Sequence, residues 1–270
     1  MSERAIQLLA GLAFSALLGG IGYWRGALSR SGVLGALIVG TLMYGFGGLS
    51  WAVLLVAFFA SSSALSFYRQ QDKISLTRKL AKGQRRDLGQ ALANGGLAAV
   101  LALGAGLYPH PLWFVAAVGA LATVNADTWA TELGVLSPAR PRLITTGQPV
   151  EPGTSGGVTV QGSAAALAGA LFISLTAAGL WLAAGAPEGA ALRLAGAGAV
   201  AGLLGSLADS LLGATVQVVY ICDRCNEETE QATHRCGQPT RYQRGWRWLN
   251  NDGVNFLSSV IGALIALALA

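Results

Sequence analysis

The stretch ATVNADTWATELGVL at 122–136 sets Asp127 and Glu132, with Asn125 and Thr128, at the end of an apolar run that begins at Leu112. A carboxylate near the middle of a bilayer costs on the order of 2.5–3.5 kcal/mol by insertion scales, so its default reading is functional. Two further stretches repeat the same residue types. GSLADSLLGAT puts Asp209 beside Ser210, and NNDGVNFLSS carries Asn251, Asp252 and Asn255. A glycine turn, made of Gly153, Thr154, Ser155, Gly156 and Gly157, precedes the apolar run that starts near 162. Glycine turns and helix N-termini offer backbone N–H groups to anions. Carboxylates beside them would repel a phosphate unless a divalent cation lay between. Magnesium suits that arrangement, taking one or two carboxylates together with substrate phosphates. Asp127, Asp209 and Asp252 as metal ligands, with Glu132 as a fourth catalytic acid, thus read as a site for a magnesium-bound nucleotide or pyrophosphate. The plainer reading of any one acid is a hydrogen bond between helices, and of the glycines close packing in lipid.

Two other segments carry chemistry. The basic loop at 69–96 is explained first by topology, since cationic loops stay inside and meet anionic headgroups, and no nucleic-acid partner is implied. Its last part differs, because Arg85, Arg86, Gln90 and Asn94 lead into the next apolar run, where they could reach a phosphate. A guanidinium fork binds phosphate oxygens in pairs. Further on, CDRCNEETEQATHRCG spaces Cys222, Cys225, His234 and Cys236 as C-x2-C-x8-H-x-C. Four soft ligands so close together suit a closed, structural zinc site, and unligated thiols or redox chemistry are the alternatives. The three cysteines all fall in this segment and do not form an even disulfide set.

The elements that must hold these residues are membrane spans. Of 270 residues 53% are hydrophobic and only 11% charged, against about a quarter charged in a soluble domain. At about 20 apolar residues per span, eight spans fall near 5–23, 33–48, 51–68, 90–107, 112–130, 162–184, 194–216 and 253–270. Seven to nine are compatible with the pattern, and the second and third could form a re-entrant pair. The N-terminal run reads as a first span rather than a cleaved signal. With the N-terminus outside, every Lys and Arg except Arg4 and Arg193 lies inside, as the positive-inside rule requires. The expectation is an all-α, polytopic transmembrane bundle over 1–270, with N and C outside and its chemistry facing the cytoplasm. The membrane would be a prokaryotic plasma membrane, and homo-oligomers are compatible with it. A cytoplasmic loop at 220–250 would carry the Cys/His cluster. A weak internal repeat runs through it: helix, Ala-Asp-Ser/Thr, loop, Gly-Val, helix. The second, fourth, sixth and eighth spans all start inside, so their free N–H groups would converge on one region.

ADTWATELG, TTGQPVEPGTSGGVTVQGS, GSLADSLLG and NNDGVNFLSS together resemble an integral-membrane family known as domain of unknown function 92. Its members include transmembrane protein 19 of animals and the chloroplast phytyl-phosphate kinase of the vitamin E pathway. The likeness spans nearly the whole chain, whereas the Cys/His insertion looks like a feature of only some members. The resemblance implies a kinase that converts an isoprenoid monophosphate to its diphosphate with CTP or another nucleoside triphosphate. It carries over to Asp127, Glu132, Asp209, Asn251, Asp252 and Asn255, which match the motifs. Transfer between two phosphate groups needs no strong general base, because positioning and charge neutralisation do most of the work. That fits a chain whose only histidines are His110, placed outside, and His234. The competing class is a secondary transporter of a small anion or lipid phosphate, whose coupling acids should lie near the midplane with access from both sides. A scaffold would explain none of the acids.

Overall fold

In lipid the backbone has to satisfy its own polar groups, so long apolar segments of this composition can only be helices. The computed structural model describes residues 2–76, 85–234 and 236–270. The helices in chain order are α1 (Glu3–Trp24), α2 (Arg30–Gly47), α3 (Leu49–Phe67), α4 (Gln70–Leu76), α5 (Leu88–Leu107), α6 (Pro111–Gly134), α7 (Val160–Ala183), α8 (Glu188–Thr215) and α9 (Asn251–Leu269). All but α4 correspond to the eight expected spans. Six of them, α1, α3, α5, α7, α8 and α9, are long and apolar enough to cross a membrane on those grounds alone. α2 and α6 have the length, at 18 and 24 residues, but glycines dilute the first and polar residues the second. α2 and α3 are both full helices, each about 27 Å long at 1.5 Å per residue, which argues against a re-entrant pair. They turn at Gly48, whose φ of +81° favours glycine.

The all-α expectation needs one amendment, at the end of the bundle where the long loops gather. β1 (Arg142–Leu143) pairs antiparallel with β2 (Gly157–Val158). β3 (Val219–Cys222), β4 (Glu227–Thr229) and β5 (Arg241–Arg244) form a sheet in the order β4-β3-β5. These loops lack the apolar length for helices, and short ladders satisfy their backbone instead. Arg78, Lys79, Lys82 and Arg235, counted among the inside charges, lie outside the described residues.

α6 is the axis of the molecule. Every residue from Phe114 to Ala126 is buried, with α3, α5, α7, α8 and α9 packed around it. Small side chains make this possible, because they let backbones approach. The Thr123 hydroxyl donates to Gly119 O at 2.9 Å and lies 3.3 Å from Ala201 O on α8. A Cβ on Gly205 of α8 or Gly262 of α9 would collide with that hydroxyl. Two residues on, Asn125 joins three helices. Its Nδ2 donates to Gly169 O on α7 at 2.7 Å, and its Oδ1 accepts from Ser61 and Ser62 on α3 at 3.1 and 3.2 Å.

The internal repeat survives in altered form. Gly157-Val158 is strand β2, ahead of α7, whereas Gly32-Val33 and Gly253-Val254 lie inside the first turns of α2 and α9. What recurs is the cap. Ser29, Thr159 and Asn250 each accept a hydrogen bond from the N–H of a glycine three residues on, namely Gly32, Gly162 and Gly253, as N-cap side chains do.

The packing yields a matched test. A Cβ at Gly262 would meet Thr123 and lie 2.8 Å from Gly119 O, while Gly179 on α7 has nothing within 4 Å. Gly262→Ala should destabilise the detergent-purified protein by about 1–3 kcal/mol, the usual cost of overpacking. Gly179→Ala should be neutral or mildly stabilising, since it removes backbone freedom from the unfolded chain. Thermal unfolding of the two variants side by side checks both signs.

Candidate functional site

The loop-bearing ends of α5 to α9 surround a polar cavity of about 990 Å³, at the upper end of the range for small-molecule sites. α6 supplies Asp127, Thr128 and Glu132, α8 supplies Ser206, Asp209 and Ser210, and α9 supplies Asn251, Asp252 and Asn255. Gly153, Thr154, Ser155, Gly156 and Gly157 form one wall. That loop lies against the end of α8. Gly156 has a φ of +84°, and a Cβ there would strike Ala214, so glycine is needed for both conformation and approach. Asp209 accepts a hydrogen bond from Ser258 on α9 at 3.0 Å. Asp127 and Asp209 lie close enough for each charge to bear on the other, a repulsion that a cation would relieve.

Some candidates serve other ends. Asn125 does not line the cavity, because all its polar atoms are spent joining α3, α6 and α7. Arg85 is exposed and lies beside Gly26 at the α1–α2 turn, away from the cavity. Glu132 lines the cavity, but both its oxygens are engaged. Oε1 accepts from Ser66 and Oε2 from Lys73, each at 2.6 Å. Asp127, Asp209 and Asp252 share the cavity but do not converge as a three-carboxylate cluster among the described residues. The helix N-termini are also less open than expected. α2's does not line the cavity, and Asp87, Thr159 and Asn250 already occupy amides of α5, α7 and α9. At α5 the cap is the Asp87 carboxylate, which takes up the Gln90 backbone N–H, so an anion near that end has to be held by side chains.

Arg86 and Asn94 do face the cavity. The position of Arg86 is set by its backbone, since its N–H donates to Ala27 O at 2.9 Å and its carbonyl accepts from Ser29 N at 3.0 Å. Its guanidinium lies over the rings of Phe58 and Phe59, 5.5 and 5.7 Å from their centroids. Burial pushes its pKa down to about 10, against the opposing pull of Glu132, so it remains charged at neutral pH. Among the described residues Nη1 is buried with no hydrogen-bond partner, as is Asn255 Oδ1. Unsatisfied buried groups of this kind are rare and call for a cause. Lys73 is the residue that sequence reasoning missed. It read as one charge among many in the basic loop, yet α4 carries it inward until it is 4% exposed.

The Cys/His segment folds as two turns of the β4-β3-β5 sheet. Cys222 ends β3 and Cys225 lies in the β3–β4 turn, where Asn226 has a φ of +52°, and His234 and Cys236 sit between β4 and β5. The four ligand atoms lie within 4.8 Å of one another and could hold a metal ion. Cys222 Sγ and Cys236 Sγ are 3.7 Å apart, close to the edge of about 3.8 Å for a tetrahedron with metal–sulfur bonds near 2.3 Å. His234 Nδ1 faces Cys236 Sγ at 3.1 Å, while Nε2 lies 3.4 Å from Glu227, as a ligating imidazole braced by a carboxylate would. The His234 hydrogen bond holds Cys236 down to about 6, and Cys225, hydrogen-bonded to Cys236, is pushed up to about 11. Arg244 fixes the sheet to the bundle by donating to Ala214 O at 2.8 Å, at the end of α8.

Comparison with known proteins agrees with this architecture. The chain matches the family described as integral membrane protein DUF92 over residues 13–263. It is 35% identical to Protein PGR of Arabidopsis thaliana, over 96% of this chain and 94% of that one. An uncharacterized membrane protein of Methanocaldococcus jannaschii is 29% identical, over 89% of this chain and 84% of its own. Protein VTE6, chloroplastic, of Arabidopsis thaliana is 26% identical over 89% of this chain and 64% of its own. No solved structure matches the chain significantly. The family match takes in the residues of α5 to α9 that line the polar cavity, and the chain belongs to the DUF92 family of integral membrane proteins.

Proposed function

We infer that the polar cavity transfers a phosphoryl group from CTP or another nucleoside triphosphate to an isoprenoid monophosphate, giving the diphosphate. One observation carries the reading. Paired acids, a glycine-rich backbone wall and a buried arginine line a single cavity at one end of a membrane bundle. The family resemblance points to the same chemistry. Asp127 and Asp209 would hold magnesium, with Asp252 on the same cavity wall. Their oxygen donors suit a hard cation, and their mutual repulsion is relieved by it. When bound, that ion supplies neutralisation of phosphate charge.

In the transfer, an oxygen of the acceptor monophosphate bonds to the γ-phosphorus as the bond to the bridging oxygen breaks, leaving the nucleoside diphosphate. The acceptor is already an anion, so no base is required. Gly153–Gly157 would position the nucleotide phosphates through backbone N–H groups. Thr128, Ser210, Asn251 and Asn255 would complete the polar lining. Glu132 acts by holding Lys73 and α4 in place. The transport alternative would call for polar lining from both ends, whereas α6 beyond Thr123 packs through Phe114–Ala122 without a charged group. The charge asymmetry of the loops supports an N-out, C-out orientation with this cavity on the cytoplasmic side. The Cys/His group would hold a structural zinc that folds residues 220–250 over the cavity, which Thr229, Glu230 and His234 also line.

Asp127→Asn, Asp209→Asn and Asp252→Asn should each lower nucleotide-dependent diphosphate formation by more than about 100-fold, on the scale of losing a preorganised charge contact. Unfolding temperatures should be unchanged or raised, because like charges are removed from the end of an apolar bundle. Turnover measured against magnesium concentration decides, and near-wild-type activity in all three would remove the main support for the reading. Glu132→Gln should have the milder effect.

Metal analysis of the purified protein should find about one zinc per chain, as a closed four-ligand site requires. Cys225→Ser should release the metal and expose residues 220–250 to protease. A metal-free protein with that segment still protected would exclude the site.

A further inference from the structure

A second cavity lies against the first. It is a narrow space of about 90 Å³ between α1, α2, α3 and α5, with apolar walls that include Val39, Leu55 and Phe59. It meets the polar cavity at Arg86, Gln90 and Asn94, which line both. α1 and α3 each pack on α2 but make little contact with one another, so the groove between them opens sideways towards lipid. Phe14 on its rim is 44% exposed.

We propose that this groove holds the phosphate-proximal part of the hydrocarbon tail of a single-chain isoprenoid phosphate monoester, the rest of the tail staying in the bilayer, with its phosphate on Arg86, Gln90 and Asn94. The inference rests on the reading of the polar cavity given above and names where its lipid substrate sits. Charge and hydrogen bonding select the head group. Arg86 Nη1 is buried without a partner among the described residues. The nearby acid, Glu132, has both oxygens committed to Ser66 and Lys73, so it does not cap the guanidinium. Gln90 Oε1 accepts from Asp87 N at 3.2 Å, and Asn94 Oδ1 accepts from Asn255 Nδ2 at 3.3 Å. With both carbonyl oxygens occupied, these two amides keep N–H groups to give. Three sets of donors therefore meet where the apolar wall ends, which is the pattern for an anion joined to a hydrocarbon.

The geometry also explains how such a lipid would meet a nucleotide. A tail in the groove leaves its head in the same cavity as Asp127 and Asp209, and no water-soluble form of the lipid is needed. Arg86 is held there by the α1–α2 turn, where its backbone pairs with Ala27 and Ser29. A Cβ on Gly32 would strike its carbonyl oxygen. The first hairpin thus serves both as a groove wall and as the mount for the phosphate-binding residue.

The test is photolabelling of the full-length protein in lipid nanodiscs with geranylgeranyl monophosphate bearing a diazirine in the isoprene unit next to the phosphate. Peptide mapping should place the label on α1, α2, α3 or α5 within the groove. Unlabelled geranylgeranyl monophosphate should compete at least tenfold better than geranylgeraniol, and inorganic phosphate should not displace the tail. Ala36→Phe, which fills the groove from α2, should cut labelling about tenfold. Arg86→Gln should abolish the preference for the monophosphate over the alcohol. If Arg86→Gln fails to fold, the wild-type competition and Ala36→Phe decide. Label on α7, α8 or α9, or equal competition by the alcohol, would overturn the proposal. Groove labelling without diphosphate formation would uphold it and count against the kinase reading. Diphosphate formation with the label elsewhere would do the reverse.

Discussion

Two like charges at the end of an apolar bundle, Asp127 on α6 and Asp209 on α8, are the constraint around which the rest is arranged. Such groups have to be hydrated, protonated, paired or bound to a cation, and keeping either charge requires a polar enclosure cut into helices that otherwise pack on glycine and alanine. The enclosure is built by ending α6 and α8 in the cavity and starting α7 and α9 beside them. The glycine loop and the small sheet close over it. Ser258 reaches across from α9 to Asp209, so even the partner of the second acid comes from a helix that begins at the cavity.

How much of this the sequence disclosed depended on cost. Acids in apolar runs are expensive, so Asp127, Asp209 and Asp252 stood out, and the glycine turn was legible beside them. Residues whose roles depend on three-dimensional register were not. Arg85 and Arg86 are neighbours of the same type, and only the pairing of the Arg86 backbone with Ala27 and Ser29 turns one into the cavity and leaves the other outside. Glu132 looked like a member of the acid group because Lys73, fifty-nine positions earlier, gave no sign that α4 would bring it within 2.6 Å. Asn125 looked like a ligand donor because an amide in an apolar helix has the same appearance whether it binds substrate or ties helices together. Hydropathy located the long helices well, but strands of two to four residues leave no periodicity to read.

The packing around Thr123 bears on which motions the bundle can make. Gly119, Gly205 and Gly262 bring three helices onto one hydroxyl with no side-chain layer between them. Such contacts resist sliding, because any shift drives backbone against backbone. Alternating access needs one group of helices to rock against another around a central site. Here the four helices that carry the acids and the glycine loop, α6 to α9, are locked to one another. The looser packing lies at α1 and α3, on the side of the apolar groove.

The burial of α6 has a further consequence for how the protein is made. Its finished surroundings include α7, α8 and α9, all encoded after it, yet a chain synthesised from its N-terminus delivers α6 to the membrane first. Asn125 can meet Ser61 and Ser62, and Glu132 can meet Ser66 and Lys73, as soon as α6 is in place, but the Gly169 carbonyl and the cavity walls from α7 to α9 come later. The part of α6 that bears a cost in lipid during synthesis is therefore its polar end at Asp127 and the Asn125 amide, while its apolar length from Phe114 to Val124 can wait in the bilayer until α7, α8 and α9 replace lipid around it.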